Sequence, residues 1–162
     1  MSVGLSGAFV LEPGEGRGST DGVWSMRLTG ADTRGQSTVG QADMGPMSSG
    51  PSLHIHSRED EICVVIEGVL TVQLGDELFE VPAGGIAFLA RGVPHTFANL
   101  TAARVRVLGF ITPAGLEGMF EETGEYIRSL SGPPDPERIA AIADRYGVKS
   151  VGPPIEVAPR VV

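Results

Sequence analysis

Apolar and polar positions alternate with a period of two through most of the first 112 residues. Trp24, Met26 and Leu28 share one face of an extended segment, and Val105 and Val107 lie opposite Arg104 and Arg106. Successive side chains of a strand point to opposite faces, so this pattern predicts half-buried strands. The expected strands are 7–12, 23–29, 36–44, 53–56, 61–66, 69–74, 77–81, 86–90, 95–99 and 104–111. Gly75-Asp76 and Pro82-Ala83-Gly84-Gly85 separate successive pairs, and Arg91-Gly92-Val93-Pro94 precedes His95. Many short strands at this spacing predict an all-β sandwich or antiparallel barrel.

After residue 112 the period changes. Leu116, Met119, Phe120, Ile127 and Leu130 fit one helical face, with Gly124 a weak point within it. Ser131-Gly132-Pro133-Pro134 interrupts the chain. Asp135 reads as the N-cap of a second helix, Pro136 as its first residue and Gly147 as its stop. Ile139, Ile142, Ala143 and Tyr146 supply its apolar stripe. Residues 150–162, with Pro153, Pro154 and Pro159, read as an extended tail. The expected organisation is a β-domain over 1–112 and a helical extension over 113–162 packed on the same domain.

Composition narrows the function classes. The 162 residues suit one domain with a real core. Twenty acidic residues against 12 basic ones give a formal net charge of −8. Such a surface repels phosphate backbones and anionic lipid, so neither nucleic acid nor a membrane is an expected partner. No apolar run approaches the ~20 residues of a membrane span. The single cysteine, Cys63, cannot form an intrachain disulfide, and the first residues do not resemble a signal peptide. The expected location is cytoplasmic.

The candidate chemistry lies in the three histidines and one glutamate. His54 and His56 are two apart on an expected strand, so both imidazoles can face one point. A turn over residues 57–60 brings Glu61 back beside them, and His95 opens another strand after a turn. A lone His-x-His pair is more often a surface accident. An acid entering the run Ile62-Cys63-Val64-Val65-Ile66 needs a partner if it points inward, however. Imidazole and carboxylate together suit one divalent transition metal ion: Fe, Mn, Ni, Co, Cu or Zn. Gly14, Gly16 and Gly18 lack the strand-then-helix context of a phosphate loop and read as flexible chain. Cys63 reads as a small buried hydrophobe, Trp24 and Phe97 as core that could border a ligand, and Arg104 and Arg106 as solvent-facing.

These residues resemble the two motifs of the cupin superfamily. The first motif is Gly, five residues, His-x-His, three or four residues, Glu, six residues, Gly. The chain supplies His54-Ile55-His56, four residues, Glu61, six residues and Gly68; Gly50 and Gly45 both miss the position of the leading glycine. The second motif is Gly, five residues, Pro-x-Gly, two residues, His, three residues, Asn. Here it reads Gly84, five residues, Ala90-Arg91-Gly92, two residues, His95, three residues and Asn99, with Ala90 in place of proline. The resemblance covers about residues 45–112. It implies a cupin antiparallel β-barrel (a double-stranded β-helix, jelly-roll-like) with the two helices outside it. It also implies one metal held by His54, His56, Glu61 and His95, a small-molecule substrate and a homodimer.

The C-terminal part also resembles quercetinase-like, flavonol dioxygenase-like cupins. The matching pieces are Gly115-Leu116-Glu117-Gly118-Met119-Phe120 and Tyr146-Gly147-Val148. That resemblance implies a metal-dependent dioxygenase acting on an aromatic or enolic compound, with Glu61 as both ligand and catalytic base. A non-oxidative cyclase or isomerase, and a binder without turnover, are the alternatives.

Overall fold

Most of the alternating segments become strands with one face buried. The computed structural model describes residues 2–3, 7–16 and 24–157; Gly18, Val23 and residues 158–162 of the expected tail lie outside them. In chain order the elements are β1 (Ser2–Val3), β2 (Phe9–Val10), β3 (Trp24–Leu28), α1 (Gly30–Thr33), β4 (Thr38–Met44), β5 (Leu53–His56), β6 (Asp60–Glu67), β7 (Val69–Leu74), β8 (Glu77–Pro82), β9 (Ile86–Leu89), β10 (His95–Ala98), β11 (Val105–Thr112), α2 (Glu117–Arg128), α3 (Pro136–Arg145) and β12 (Val148–Gly152). Gly14 and Gly16 fall in turn and irregular chain after β2.

Two five-stranded antiparallel sheets carry the molecule, in the orders β12-β5-β10-β7-β8 and β3-β4-β11-β6-β9. The expected all-β jelly roll is present, built as two facing sheets that keep open edges instead of closing into a continuous barrel. Their inner faces share one core, which holds Met26, Met44, Val65 and Val107 from one sheet and Leu70 and Val72 from the other. Arg104 and Arg106 point outward, where they pair with Asp43 and Glu67.

Two elements escape the sequence pattern. Helix α1 is a single turn, closed by a capping box between Thr29 and Asp32. Strand β12 lies where the sequence suggests the end of the second helix and the start of a loose tail. It pairs with β5, setting Val148 opposite His56 and Ser150 opposite His54. Five residues ahead of two prolines carry little strand signal by themselves, and the unpaired edge of β5 supplies the reason for them to extend. Asp135 caps α3 as its chemistry suggests, accepting a hydrogen bond from the Glu137 amide at 2.9 Å. Leu116, Phe120 and Val148 join the core of the sheets, so the helical segment packs on the same interior.

The motif residues that do not bear ligand atoms hold the loops. Gly68 has φ 80°, and a Cβ there would stand 2.4 Å from the Arg104 carbonyl oxygen. The Asn99 side chain donates to the Gly45 and Ala103 carbonyls at 2.7 Å each and accepts from the Thr101 amide at 2.9 Å. Asp60 grips the turn before His95 through the Arg91 amide and guanidinium.

Trp24 fills a slot made by two glycines. Gly40 and Gly109 are paired across β4 and β11. A Cβ would lie 2.8 Å from the indole at Gly40 and 2.5 Å from it at Gly109. The indole then meets Phe97 of the other sheet edge-on, with ring centroids 6.0 Å apart. Gly109→Ala is therefore expected to destabilise the protein by about 1–3 kcal/mol through overpacking. Urea unfolding followed by Trp24 fluorescence checks this; an unchanged midpoint would show that the indole has room to move.

Candidate metal centre and cavity

Strand register brings the three imidazoles together. His54 and His56 occupy the two inward positions of β5, and His95 lies directly opposite His54 on β10. The ring centroids are 4.6 Å apart for His54–His95, 4.9 Å for His54–His56 and 5.0 Å for His56–His95. One ligand-type nitrogen from each lies within 4.8 Å of the others. All three residues are buried, His95 completely.

Local hydrogen bonds orient two of the rings. His54 Nδ1 donates to the Ser52 carbonyl at 2.7 Å, and His95 Nδ1 donates to the Val93 carbonyl at 2.9 Å. A carbonyl can only accept, so the proton sits on Nδ1 and Nε2 is left with a free lone pair. His95 Nε2 is buried without a hydrogen-bond partner, as is His56 Nδ1. A dry site rarely tolerates such atoms, and a bound cation would satisfy the lone pair at His95. Burial, reinforced by the neighbouring imidazoles, lowers His54 to about 4 and His56 to about 3, and burial lowers His95 as well. Neutral imidazole is the form that ligates metal, so the site fits a divalent transition metal ion on the chemistry of its donors.

Glu61 comes from the opposite sheet, at an inward position of β6. It borders the same cavity as His54 and His56 but stands outside the three-histidine group. Its Oε1 accepts from the Cys63 thiol at 3.4 Å. Burial raises its carboxyl to about 7. Burial and the nearby Glu61 raise the Cys63 thiol well above its usual value, which keeps it a neutral donor. Glu59 is a residue that the sequence pattern does not single out. It is 1% exposed, and its Oε2 lies 4.0 Å from His56 Nδ1. Glu59 lies in the turn between β5 and β6, where the period of two gives no signal for its direction.

The cavity lined by His54, His56 and Glu61 has a volume of about 530 Å³. Trp24 and Phe97 border it from the sheets, and Leu116, Met119, Phe120 and Ile139 border it from the helical segment. No lysine or arginine lines it among the described residues. The sequence locates the helices but does not show that they wall the cavity.

Comparison with known proteins agrees with this architecture. Residues 41–111, the segment that bears all three histidines and Glu61, match the family model described as Cupin domain. No curated protein sequence matches the chain. Among solved structures, it is similar to a predicted oxalate decarboxylase from Thermotoga maritima, with 19% identity, a TM-score of 0.53 and coverage of 61% of this chain and 90% of that one. It is also similar to an uncharacterized conserved protein with a double-stranded beta-helix domain from Klebsiella pneumoniae, with 21% identity, a TM-score of 0.51 and coverage of 62% and 84%. The KdgF structure from a Halomonas species gives 16% identity, a TM-score of 0.50 and coverage of 57% and 78%. At these identities the likeness is one of fold. Among the described residues no helix is long and apolar enough to cross a membrane.

The electrostatics set a sign for metal-free stability. The folded Glu61 carboxyl stands at about 7 against an ordinary 4.5. An acid raised in the native state costs no stability below its unfolded value and an increasing amount as pH rises through the folded value. Glu61→Gln is expected to leave metal-free stability unchanged near pH 4. Above pH 7 it should raise stability by about 3 kcal/mol, since each tenfold change in a proton equilibrium is worth roughly 1.4 kcal/mol. Denaturant unfolding of the stripped variant and wild type across this range checks it. The histidines act oppositely, since their depressed values make the fold lose stability as pH falls below about 6.5 toward 4.

Proposed function

We propose that the protein is a metal-dependent dioxygenase acting on an aromatic or enolic small molecule, in the manner of quercetinase-like cupins. The observation that carries the reading is the cavity itself: neutral donors and a high-pKa carboxyl meet an apolar chamber without a lysine or arginine among its described residues. A dicarboxylate or a sugar phosphate would find no cationic side chain there to offset its desolvation. A planar, mostly apolar molecule with one ionisable hydroxyl suits it.

His54, His56 and His95 would hold the ion, with Glu61 able to complete the set. When bound, a divalent transition metal supplies Lewis acidity at the substrate oxygen and a route for electrons toward O₂. The remaining tasks belong to the chain. Glu61, with an ordinary value displaced to about 7, is matched to accept the hydroxyl proton near neutral pH. Trp24, Phe97 and Phe120 offer apolar surface against the rings of the substrate. The walls from α2 and α3 limit the access of water.

Oxygen uptake by protein loaded in turn with Fe, Mn, Ni, Co, Cu and Zn, on a panel of flavonols, catechols and enols, tests the reading. Uptake with at least one pair is expected, and His95→Ala should abolish it together with metal binding. Product without oxygen uptake would make the protein a cyclase or isomerase instead. Binding without product would make it a carrier.

We also propose that the chain works as a homodimer. Ile66, Ile86 and Phe88 are large apolar residues exposed on the outer side of neighbouring strands β6 and β9, with Ile62 paired to Phe88 and Val64 to Ile86. An outward apolar face of this kind is unusual for a lone sandwich, and a second copy would cover it. Sedimentation is expected to show a dimer at micromolar concentration and a monomer for Phe88→Glu. A wild-type monomer would remove the proposal.

A further inference from the structure

Of the three clustered histidines, His56 alone has a carboxylate beside its Nδ1. In His54 and His95 that nitrogen is held by the carbonyl two residues earlier in the chain. In His56 it faces Glu59 Oε2 at 4.0 Å. Both atoms are buried and neither has a hydrogen-bond partner. Two orphaned polar atoms, one able to carry a proton and the other only to accept one when ionised, are costly apart and complementary together. Closing the gap takes a movement of about 1 Å to reach ordinary hydrogen-bond length.

We propose that Glu59 is a positioning residue for the metal centre: its carboxylate takes the Nδ1 proton of His56 in a hydrogen bond, fixes that tautomer and turns Nε2 toward the ion. Glu59 is absent from the cavity wall, whereas His56 and Glu61 reach it. The Glu59 carboxylate therefore serves the imidazole from outside the space that a ligand would occupy. Arg91, paired with Asp60, adds a cation at longer range, and the nearest one is Arg58, with Nε 3.9 Å from Oε1, on a side chain that is 65% exposed. That long, solvated contact is a weak reason to bury a carboxylate. A negative partner also makes the opposite nitrogen of His56 a stronger donor than a carbonyl would. The three rings are consequently held unequally, His56 beside a carboxylate and the other two by backbone carbonyls. The inference rests on the reading of the cluster as a metal site.

The test uses Zn²⁺ alone as probe, which is diamagnetic, on the full chain stripped of metal. Competition with a chromophoric chelator gives the affinity of wild type, Glu59→Gln and Glu59→Ala, and calorimetric melting is run on each with and without Zn²⁺. Glu59→Gln is expected to weaken Zn²⁺ about 10- to 100-fold, and Glu59→Ala at least as much. The metal-free melting temperature of Glu59→Gln should be equal to or above that of wild type, because a buried charge has been removed. In Zn²⁺-loaded wild type, ¹⁵N-detected imidazole spectra should show His56 protonated on Nδ1, with the proton shifted far downfield. That signal should move upfield in Glu59→Gln, while the His54 and His95 signals stay in place. Wild-type Zn²⁺ affinity in both variants would overturn the proposal. So would a loss of affinity matched by a fall in the metal-free melting temperature, since that is the mark of a purely structural residue. Failure of wild type to bind Zn²⁺ would instead overturn the metal site itself.

Discussion

Three imidazoles and a carboxyl are buried in one small sandwich, where charge is costly without a partner. Most of the site's character follows from this constraint. It lowers the histidines, so that they are neutral at any pH near 7, and it raises Glu61. The same burial that makes the histidines poor bases makes them ready ligands, because no proton has to leave before a metal arrives. It also explains why Cys63 sits where it does: a neutral thiol donor beside Glu61 softens the burial of the acid without bringing in a second charge.

The geometry that meets the constraint is divided between the sheets. The His-bearing strands β5 and β10 lie side by side in one sheet, and Glu61 reaches in from the other. Bonds at the strand ends keep this arrangement in register. Gly92, with φ 77°, donates its amide to the His56 carbonyl at 2.9 Å, while Asp60 binds Arg91 next to it. The turn before His95 is thereby tied at once to β5 and β6, the two strands that carry the other polar groups. Strand β12 covers the outer edge of β5, so His54 is paired with a strand on both sides, and His56 is paired with β12 on one side and bonded by the Gly92 amide.

The helical segment turns a polar cluster into a chamber. Glu117 at the start of α2 accepts from the Gly30 amide at 2.7 Å and from Thr38, anchoring the helix to α1 and β4. Leu116, at the N-terminal cap of α2, and Phe120 within it then reach the core, and Ile142 is the buried residue of α3. Arg145 pairs with Glu122 to join the two helices. On the helical side the resulting cavity is walled mainly by apolar side chains.

Much of this was written in short-range pattern. A period of two placed His54 and His56 on one face and Glu61 on an inward face, and turn residues separated the strands, because these properties depend only on neighbours along the chain. Asp135, Pro136 and Gly147 marked α3 for the same reason, with Gly147 two residues past its end. Sequence alone thus determined the all-β class, the two helices and the shared face of His54 and His56. Tertiary structure decided what depends on partners distant in the chain. The pairing of His95 with His54 joins residues 41 positions apart, and it is what makes three histidines one site. Strand β12 exists because the edge of β5 is free to pair with it. Two facing sheets with open edges replaced a closed barrel, since closure depends on strand pairing that no local pattern encodes. Glu59 and Glu61 have the same residue type and lie two positions apart, and both are buried. Only the packing around them set one beside the His56 ring and the other on the cavity wall, because direction along a strand is local whereas the identity of the facing group is not.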